Sequence, residues 1–318
     1  MATRPLQACV VGAGAVGLVY ALYLHRGGAR VALLVKREHA EACHRGFSLH
    51  RLKAGRRCDS DSLPEIPILT EVDEVTNGNF DQIWITVASD ALRTPWLGEL
   101  LGASGNATIV LVQPDLDDRS LILAHVSEQR LVQGLIGFLS FQSPLPREPQ
   151  FPAGIAYTLL PWSASTFDGP EARAVVAALR RGGFSARLGS DLPGRSAERS
   201  ATTVPIVAGL EVAGWSIPAF GRGPWLAKSL AASREALAAV AATLRRPPAP
   251  FRRALHPMAV RLGLGAARRL APFDLEAYLY FHFTKVGRQT RLMLETYAAH
   301  ARAAGLPSQA LDRLRAAL

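Results

Sequence analysis

Residues 8–36 read Ala-Cys-Val-Val-Gly-Ala-Gly-Ala-Val-Gly-Leu-Val-Tyr-Ala-Leu-Tyr-Leu-His-Arg-Gly-Gly-Ala-Arg-Val-Ala-Leu-Leu-Val-Lys. An apolar β-type run leads into the turn Gly12-Ala13-Gly14-Ala15-Val16-Gly17, a helical run continues to about Arg26, and Gly27-Gly28 stops it before a second β-rich run over 31–35. This is the order of the first βαβ unit of a dinucleotide-binding domain. Gly12 permits a tight turn, Gly14 lets the backbone approach a pyrophosphate, and Gly17 lets the helix pack closely on the sheet. The free N–H groups and positive dipole end of that helix supply an anion site without any basic side chain.

The second strand ends on Lys36-Arg37. An acid there suits the ribose hydroxyls of NAD, whereas cations suit the additional phosphate of NADP, so the expected cofactor is NADP(H). From Leu6 to Leu24 the chain is almost wholly apolar, which also fits a membrane span or signal peptide. The strand before, the helix after and the basic strand end favour the cofactor reading, with no membrane partner.

Hydrophobic residues make up 49% of the 318 positions, enough for two packed domains. The net charge of +10 comes mainly from arginine, since lysine occurs only at Lys36, Lys53, Lys228 and Lys285. The basic residues are scattered and no aromatic-basic interleaving marks a nucleic-acid surface. Cys9, Cys43 and Cys58 lack metal-type spacing and read as reduced thiols of a cytoplasmic protein. No metal cluster is expected, and His256, His282 and His300 have no acidic neighbours in sequence.

Through the first half, strand-like runs over 82–87, 107–112, 132–141, 155–160 and 184–188 alternate with helical stretches over 91–101, 116–126 and 170–181. A Pro-rich loop spans 144–152. After 191–194 the strand signals vanish, and helical periodicity fills 195–216, 224–244, 251–270, 273–285, 288–304 and 307–317, with a loop at 245–250. The expected architecture is α/β: a Rossmann-type parallel-sheet domain over 1–190, then an all-helical domain over 191–318 for substrate binding or dimerisation. Substrate is expected in the cleft between them.

With the glycine motif first, a basic second-strand end, a change of character near 190 and a tail over 287–307 that opens Gly287-Arg288-Gln289-Thr290, the chain resembles the ketopantoate reductase family. That resemblance implies a Rossmann domain joined to a helical domain and reduction of a 2-keto acid by NADPH. It places Val87, Ala88, Gln113 and Pro114 beside the cofactor. It also exposes departures. Ala88 stands where the family has a lysine, Gln113-Pro114-Asp115 replaces Asn-Gly, the segment 202–207 lacks the catalytic Lys-x-x-x-Asn pattern, and Arg291 follows Thr290 where the family has glutamate.

Hydride delivery to a ketone leaves an alkoxide that needs a proton donor, and a 2-keto acid also needs cationic or hydrogen-bonding groups on its carboxylate. Replacement groups are sought near the tail. His282, Lys285 and Gln289 follow i, i+3, i+7 spacing, as do Arg288, Arg291 and Glu295. Lys285 is the expected holder of an anionic substrate and His282 the proton donor. Arg291 and Glu295 are otherwise a surface i,i+4 pair, Lys285 or Lys228 a solvated cation, and Glu211, among apolar neighbours, is either a buried acid or a surface carboxylate. The expected function is an NADPH-dependent oxidoreductase acting on a carbonyl or imine other than ketopantoate. The alternative is a catalytically silent relative that binds NADP(H) as a sensor. A homo-oligomer is compatible with either.

Overall fold

In the computed structural model, which describes residues 4–146, 148–160, 163–249 and 255–318, the first apolar run forms strand β1 (Gln7–Val11), and the glycine turn feeds directly into helix α1 (Ala15–Arg26). The chain returns through β2 (Arg30–Leu34), enters α2 (Arg37–His44), and makes a polar hairpin of β3 (Phe47–Lys53) and β4 (Arg57–Leu63). There follow β5 (Ile68–Leu69), α3 (Asp73–Asn77), β6 (Gln82–Ile85), α4 (Trp96–Ala103), β7 (Thr108–Leu111), α5 (Asp118–Leu123) and β8 (Leu131–Leu135). Strands β9 (Phe138–Ser143), β10 (Gly154–Leu159) and β11 (Ser165–Asp168), helix α6 (Ala172–Arg181) and strand β12 (Ala186–Leu188) complete this part. Beyond it lie α7 (Leu192–Val212), α8 (Ile217–Arg222), α9 (Trp225–Thr243), α10 (Pro257–Leu270), α11 (Leu275–Lys285), α12 (Gly287–Ala303) and α13 (Gln309–Ala316).

The larger sheet has the order β12-β11-β8-β7-β6-β1-β2-β5. Its strands pair in parallel except where β11 runs against β8. The chain builds outward from β1 through β2 on one side and through β6 on the other, so the order reverses beside β1. A ligand crevice in such a sheet lies past the carboxyl ends of the strands at that reversal. This is a Rossmann-like parallel-sheet domain with a helical portion after it.

A smaller sheet, β4-β3-β10-β9, covers the other side of α1. Helix α1 is therefore enclosed all round, and Gly17 through Leu24 are all buried. That burial explains the long apolar run near the start of the chain; no helix among the described residues is long and apolar enough to cross a membrane. The two tyrosines of α1 keep their hydroxyls satisfied in this apolar layer: Tyr20 donates to Ser165 Oγ at 3.1 Å, and Tyr23 meets the Tyr157 hydroxyl at 3.0 Å.

Apart from two short excursions, 114–117 and 145–148, the described residues up to Leu192 form one compact unit and those from Pro193 another. In the second, α9 is the central element and packs on α12 and α13. Glu235 of α9 accepts from the Ala310 and Leu311 N–H groups at 2.9 and 3.0 Å, a carboxylate on the positive end of α13.

Several elements differ from their sequence expectation. The run 132–141 is two strands, because the chain leaves the larger sheet after β8 and enters the smaller one at β9. Pro95 divides the expected helix 91–101 into a 3-10 turn (Ser89–Arg93) and α4. The expected helix 195–216 starts earlier and ends at Val212. The hairpin over 47–63 carries no apolar alternation in β4, Arg-Cys-Asp-Ser-Asp-Ser-Leu, and is held by pairing to β10 instead. Residues 251–254 of the expected helix 251–270 lie outside the described residues, as do Arg147 and Pro250 in the two expected loops; the described helix begins at Pro257.

The α1 layer makes one position intolerant of even a methyl group. A Cβ on Gly17 would sit 2.5 Å from both the Gly12 carbonyl oxygen and Thr86 Oγ1. Gly17→Ala is expected to lower unfolding stability by about 1–3 kcal/mol, the usual cost of overpacking, measured by urea denaturation against the unaltered protein.

Candidate functional site

The turn between β1 and α1 is built by three glycines under three different constraints. Gly12 has φ of +97°, which a side chain rarely adopts, and its N–H donates to Leu34 O at 2.9 Å, tying the turn to β2. Gly17 is held against the Gly12 carbonyl as described. Gly14 is different: its φ is an ordinary −75°, and a Cβ built there meets nothing within 4 Å. Neither backbone geometry nor the protein interior demands glycine at this position. It caps the amino end of α1, where no side chain supplies a capping bond and the first turn holds no acid. Uncapped N–H groups and a Cβ direction open to space are the features an anionic ligand lying on the helix end requires.

The neighbouring strand ends lock this turn from the side. Thr86 donates its hydroxyl to Val11 O at 2.7 Å and lies 3.2 Å from Gly12 O. Val87 lies against Gly12, since a Cβ there would meet Val87 Cγ1 at 2.9 Å. Gln113 is buried and donates from Nε2 to Val87 O at 2.6 Å, while its Oε1 accepts from Val112 N at 3.1 Å. Gly12, Val87 and Gln113 are thus brought together, Ala88 follows directly, and Pro114 falls among the residues of the helical unit. Past Ala88, buried Asp118 accepts from Ser89 Oγ at 2.6 Å and from Arg93 at 2.8 Å. Sequence reasoning missed Thr86, Ser89, Arg93 and Asp118, because no local spacing joins 86 to 11 or 89 to 118.

Lys36 caps α2 and Arg37 opens it, immediately past β2. Both are highly exposed; Arg37 bonds Glu71 at 2.6 Å and Lys36 lies 3.9 Å from Glu38. Exposed pairs of this kind are weak and leave both cations free to change partner. A depression of 530 Å³ lined by Arg4, Asn79, Asp81 and Ala107 lies at the amino ends of β6 and β7, the wrong end of these parallel strands for the glycine turn.

In the helical unit, His282 and Lys285 occupy the last turn of α11. His282 is half-buried, stacked on Tyr278 at 5.3 Å and edge-on to Phe283 at 4.9 Å. Burial, and secondarily the Lys285 charge, push its pKa down to about 4, so the imidazole is neutral at neutral pH. Lys285 is exposed. The helix breaks at Val286, with φ −104° and ψ 22°, so the i, i+7 step from His282 to Gln289 does not run along one continuous helix face.

Other expectations need correction. Arg291 and Glu295 are not paired. Arg291 donates to Glu211 at 2.8 Å, to Leu318 O at 2.9 Å and to Gly287 O at 3.2 Å, and Glu295 instead meets Arg302 and Arg315. Glu211 is accordingly the counter-ion of Arg291, neither an isolated acid nor a free surface carboxylate. His300 does have an acidic neighbour: its Nε2 lies 2.7 Å from Asp117 Oδ1, and its Nδ1 lies 3.2 Å from Thr243 Oγ1. His256 caps α10 by accepting from Met258 N. Lys228 sits 4.1 Å over the Trp225 ring, an exposed cation–π contact.

A glycine turn locked at a strand-order reversal, followed by a helical unit, defines a Rossmann-type protein of the ketopantoate reductase fold. Residues 8–147 match the family model of ketopantoate reductase PanE/ApbA. The fold over the whole chain is similar to that of 2-dehydropantoate 2-reductase from Geobacter metallireducens GS-15, with TM-score 0.74, 18% identity and coverage of 98% of this chain and 99% of that one. A PanE/ApbA family ketopantoate reductase from Ralstonia eutropha JMP134 gives TM-score 0.74 at 14% identity, covering 98% and 96%. D-mandelate dehydrogenase, in a ternary structure with NADH and anilino(oxo)acetate, gives 0.72 at 12% identity, covering 98% and 96%. No curated protein matches in sequence.

The contrast between Gly14 and Gly17 separates binding from folding. Gly14→Val is expected to keep the melting behaviour of the unaltered protein and to weaken NADPH binding more than about tenfold, read by fluorescence titration; unchanged affinity would place the nucleotide elsewhere.

Proposed function

We propose that the protein is an NADP(H)-dependent oxidoreductase that reduces a carbonyl or imine compound other than ketopantoate. The observation that carries this reading is the uncapped amino end of α1 beside Gly14, whose Cβ direction is open while Gly12 and Gly17 are sterically required. The solved neighbours support it, since they include reductases of 2-dehydropantoate and a D-mandelate dehydrogenase bound to NADH. The nucleotide, when bound, supplies the hydride. In this reading the α1 end holds its pyrophosphate, and Lys36 and Arg37 exchange Glu38 and Glu71 for the 2′-phosphate.

In this reading Lys285 holds an anionic group of the substrate. His282, kept neutral by its ring neighbours, serves as a hydrogen-bonding partner rather than an imidazolium acid. One observation favours the alternative, a nucleotide-binding protein without turnover. Arg291, at the family's glutamate position, is committed to Glu211 and Leu318, and Ala88 offers no polar group.

Two measurements test these assignments. NADPH is expected to bind more tightly than NADH, and replacing Lys36 and Arg37 together with Gln is expected to weaken NADPH by about tenfold or more while leaving NADH nearly unchanged. Equal affinities in the unaltered protein would remove the NADP assignment.

A screen of 2-keto acids, ketones and cyclic imines, followed as NADPH oxidation, is expected to show turnover with one class and negligible turnover with ketopantoate. Ketopantoate turnover at the rate of an ordinary reductase would overturn the weight given to Ala88, Pro114, the segment 202–207 and Arg291. Tight NADPH binding with no turnover across the screen would favour the sensing protein.

A further inference from the structure

None of the fourteen residues of α10 is buried, although the helix carries Met258, Val260, Leu262, Leu264 and Leu270. Val260 and Leu264 are partly covered, while Met258, Leu262 and Leu270 stand 53%, 67% and 72% exposed. Arg261 donates to Gly221 O at 2.5 Å and Arg268 pairs with Glu276 at 3.4 Å, so α10 is held to α8 and α11 while its apolar row stays outside. Among the described residues six large hydrophobic side chains are exposed, and five of them, these three with Tyr280 and Phe281 of the adjoining α11, lie on two consecutive helices. Exposed apolar residues scattered singly need no explanation, but a concentrated set marks an interaction surface.

The exposed row combines large and small residues. Met258, Leu262, Ala266 and Leu270 follow one another at i+4 and form one ridge, with Ala259 and Gly263 beside it, all exposed. Gly263 lies inside the helix, is not left-handed, and would carry a Cβ that meets nothing within 4 Å. Glycine within a helix is destabilising relative to alanine, and here neither the backbone nor the protein interior demands it. A second backbone passing close to this face does. Large side chains alternating with small ones on one face are what helix-on-helix packing requires.

We propose that α10 packs antiparallel on the α10 of a second copy of this chain, about a two-fold axis passing Leu264. The pattern is complementary to itself, as a two-fold contact demands. The axis sets Leu262 over the partner's Ala266 at the centre and Met258 beside the partner's Leu270 at each end. Arg269, the one cation in the row, falls over the partner's Ala259, and the two copies of it stand about 15 Å apart along the helices, beyond the ~8–10 Å reach of charge in salt. The area is also sufficient. Five side chains about half exposed or more, at roughly 200 Å² each, offer on the order of 500 Å² of apolar surface. That approaches the non-polar share of the ~800 Å² each partner buries in a stable dimer. Ala259, Gly263 and Ala266 offer little to insert into a lipid surface, whereas they let a second helix come near. This inference stands apart from the oxidoreductase reading and does not depend on it.

Sedimentation velocity of the full-length protein from about 0.1 to 100 μM is expected to show a monomer–dimer equilibrium with a micromolar or tighter dissociation constant. Leu262→Glu, at an exposed position, is expected to weaken it at least about thirtyfold. Should that variant fail to fold by circular dichroism, Leu270→Glu takes its place. Leu262→Ala and Ala266→Leu are each expected to weaken the dimer about tenfold, and the two together to return it to within about threefold of the unaltered protein. Gly263→Ala is expected to weaken the dimer yet raise the melting temperature of the Leu262→Glu monomer, opposite effects that a purely internal role for this glycine does not produce.

A monomer at every concentration overturns the proposal, as does a dimer indifferent to Leu262→Glu. Failure of the combined Leu262→Ala and Ala266→Leu variant to recover overturns the antiparallel pairing. A monomer that sediments with phosphatidylglycerol vesicles, and no longer does so as Leu262→Glu, overturns it in favour of a lipid surface at the same row.

Discussion

Everything in the α/β unit depends on the burial of α1 between two sheets. Its contiguous buried run, Gly17 to Leu24, has no face left for water, so the helix is positioned by apolar contact on every side rather than by one stripe. Burial of each large apolar side chain in this layer contributes about 1.5–3 kcal/mol. That enclosure works only because Gly17 lets the helix backbone lie against the Gly12 carbonyl and Thr86. Positioning the helix also positions its amino end, so the proposed nucleotide site at the turn would be a consequence of how the helix is packed.

Because the turn is so constrained, its polar groups act as fasteners. Thr86 ties β6 to the backbone of the turn, Gln113 ties β7 to Val87, and Asp118 gathers Ser89 and Arg93 beyond Ala88. Each is a buried or half-buried group whose hydrogen bonds must be met internally, so the strand ends that flank the turn are held in fixed register. Gly14 is the exception, with space where its neighbours have contacts. A position that the fold leaves unconstrained, inside a turn that the fold constrains throughout, points to a ligand as the reason for glycine there.

The helical unit is organised by charge to a greater degree. Arg291 reaches Glu211, the Gly287 carbonyl and the last residue of the chain, while Glu295, Arg302, Asp312 and Arg315 form a second group. Individual exposed pairs of this type contribute little, but a linked set fixes how α7, α12 and α13 meet.

The sequence by itself determined the βαβ unit, the basic strand end at Lys36-Arg37 and the helical tail, because each is written in residues close enough to interact locally: glycine against backbone conformation, and apolar spacing against the helical period. It was nearly silent on the smaller sheet, since β4 has no apolar alternation and the sheet exists only because β3 finds β10. It was misleading for Arg291 and Glu295, whose helical spacing fits a pair although Arg291 takes Glu211, 80 residues away, and it left His300 isolated although Asp117 lies 183 residues back along the chain. It placed His282 and Lys285 on one turn but could not give the imidazole its neutral state, which comes from the Tyr278 and Phe283 rings around it. Local spacing encodes backbone geometry. Charge state and partner choice depend on which distant groups exclude water from one another, and only the tertiary structure decides that.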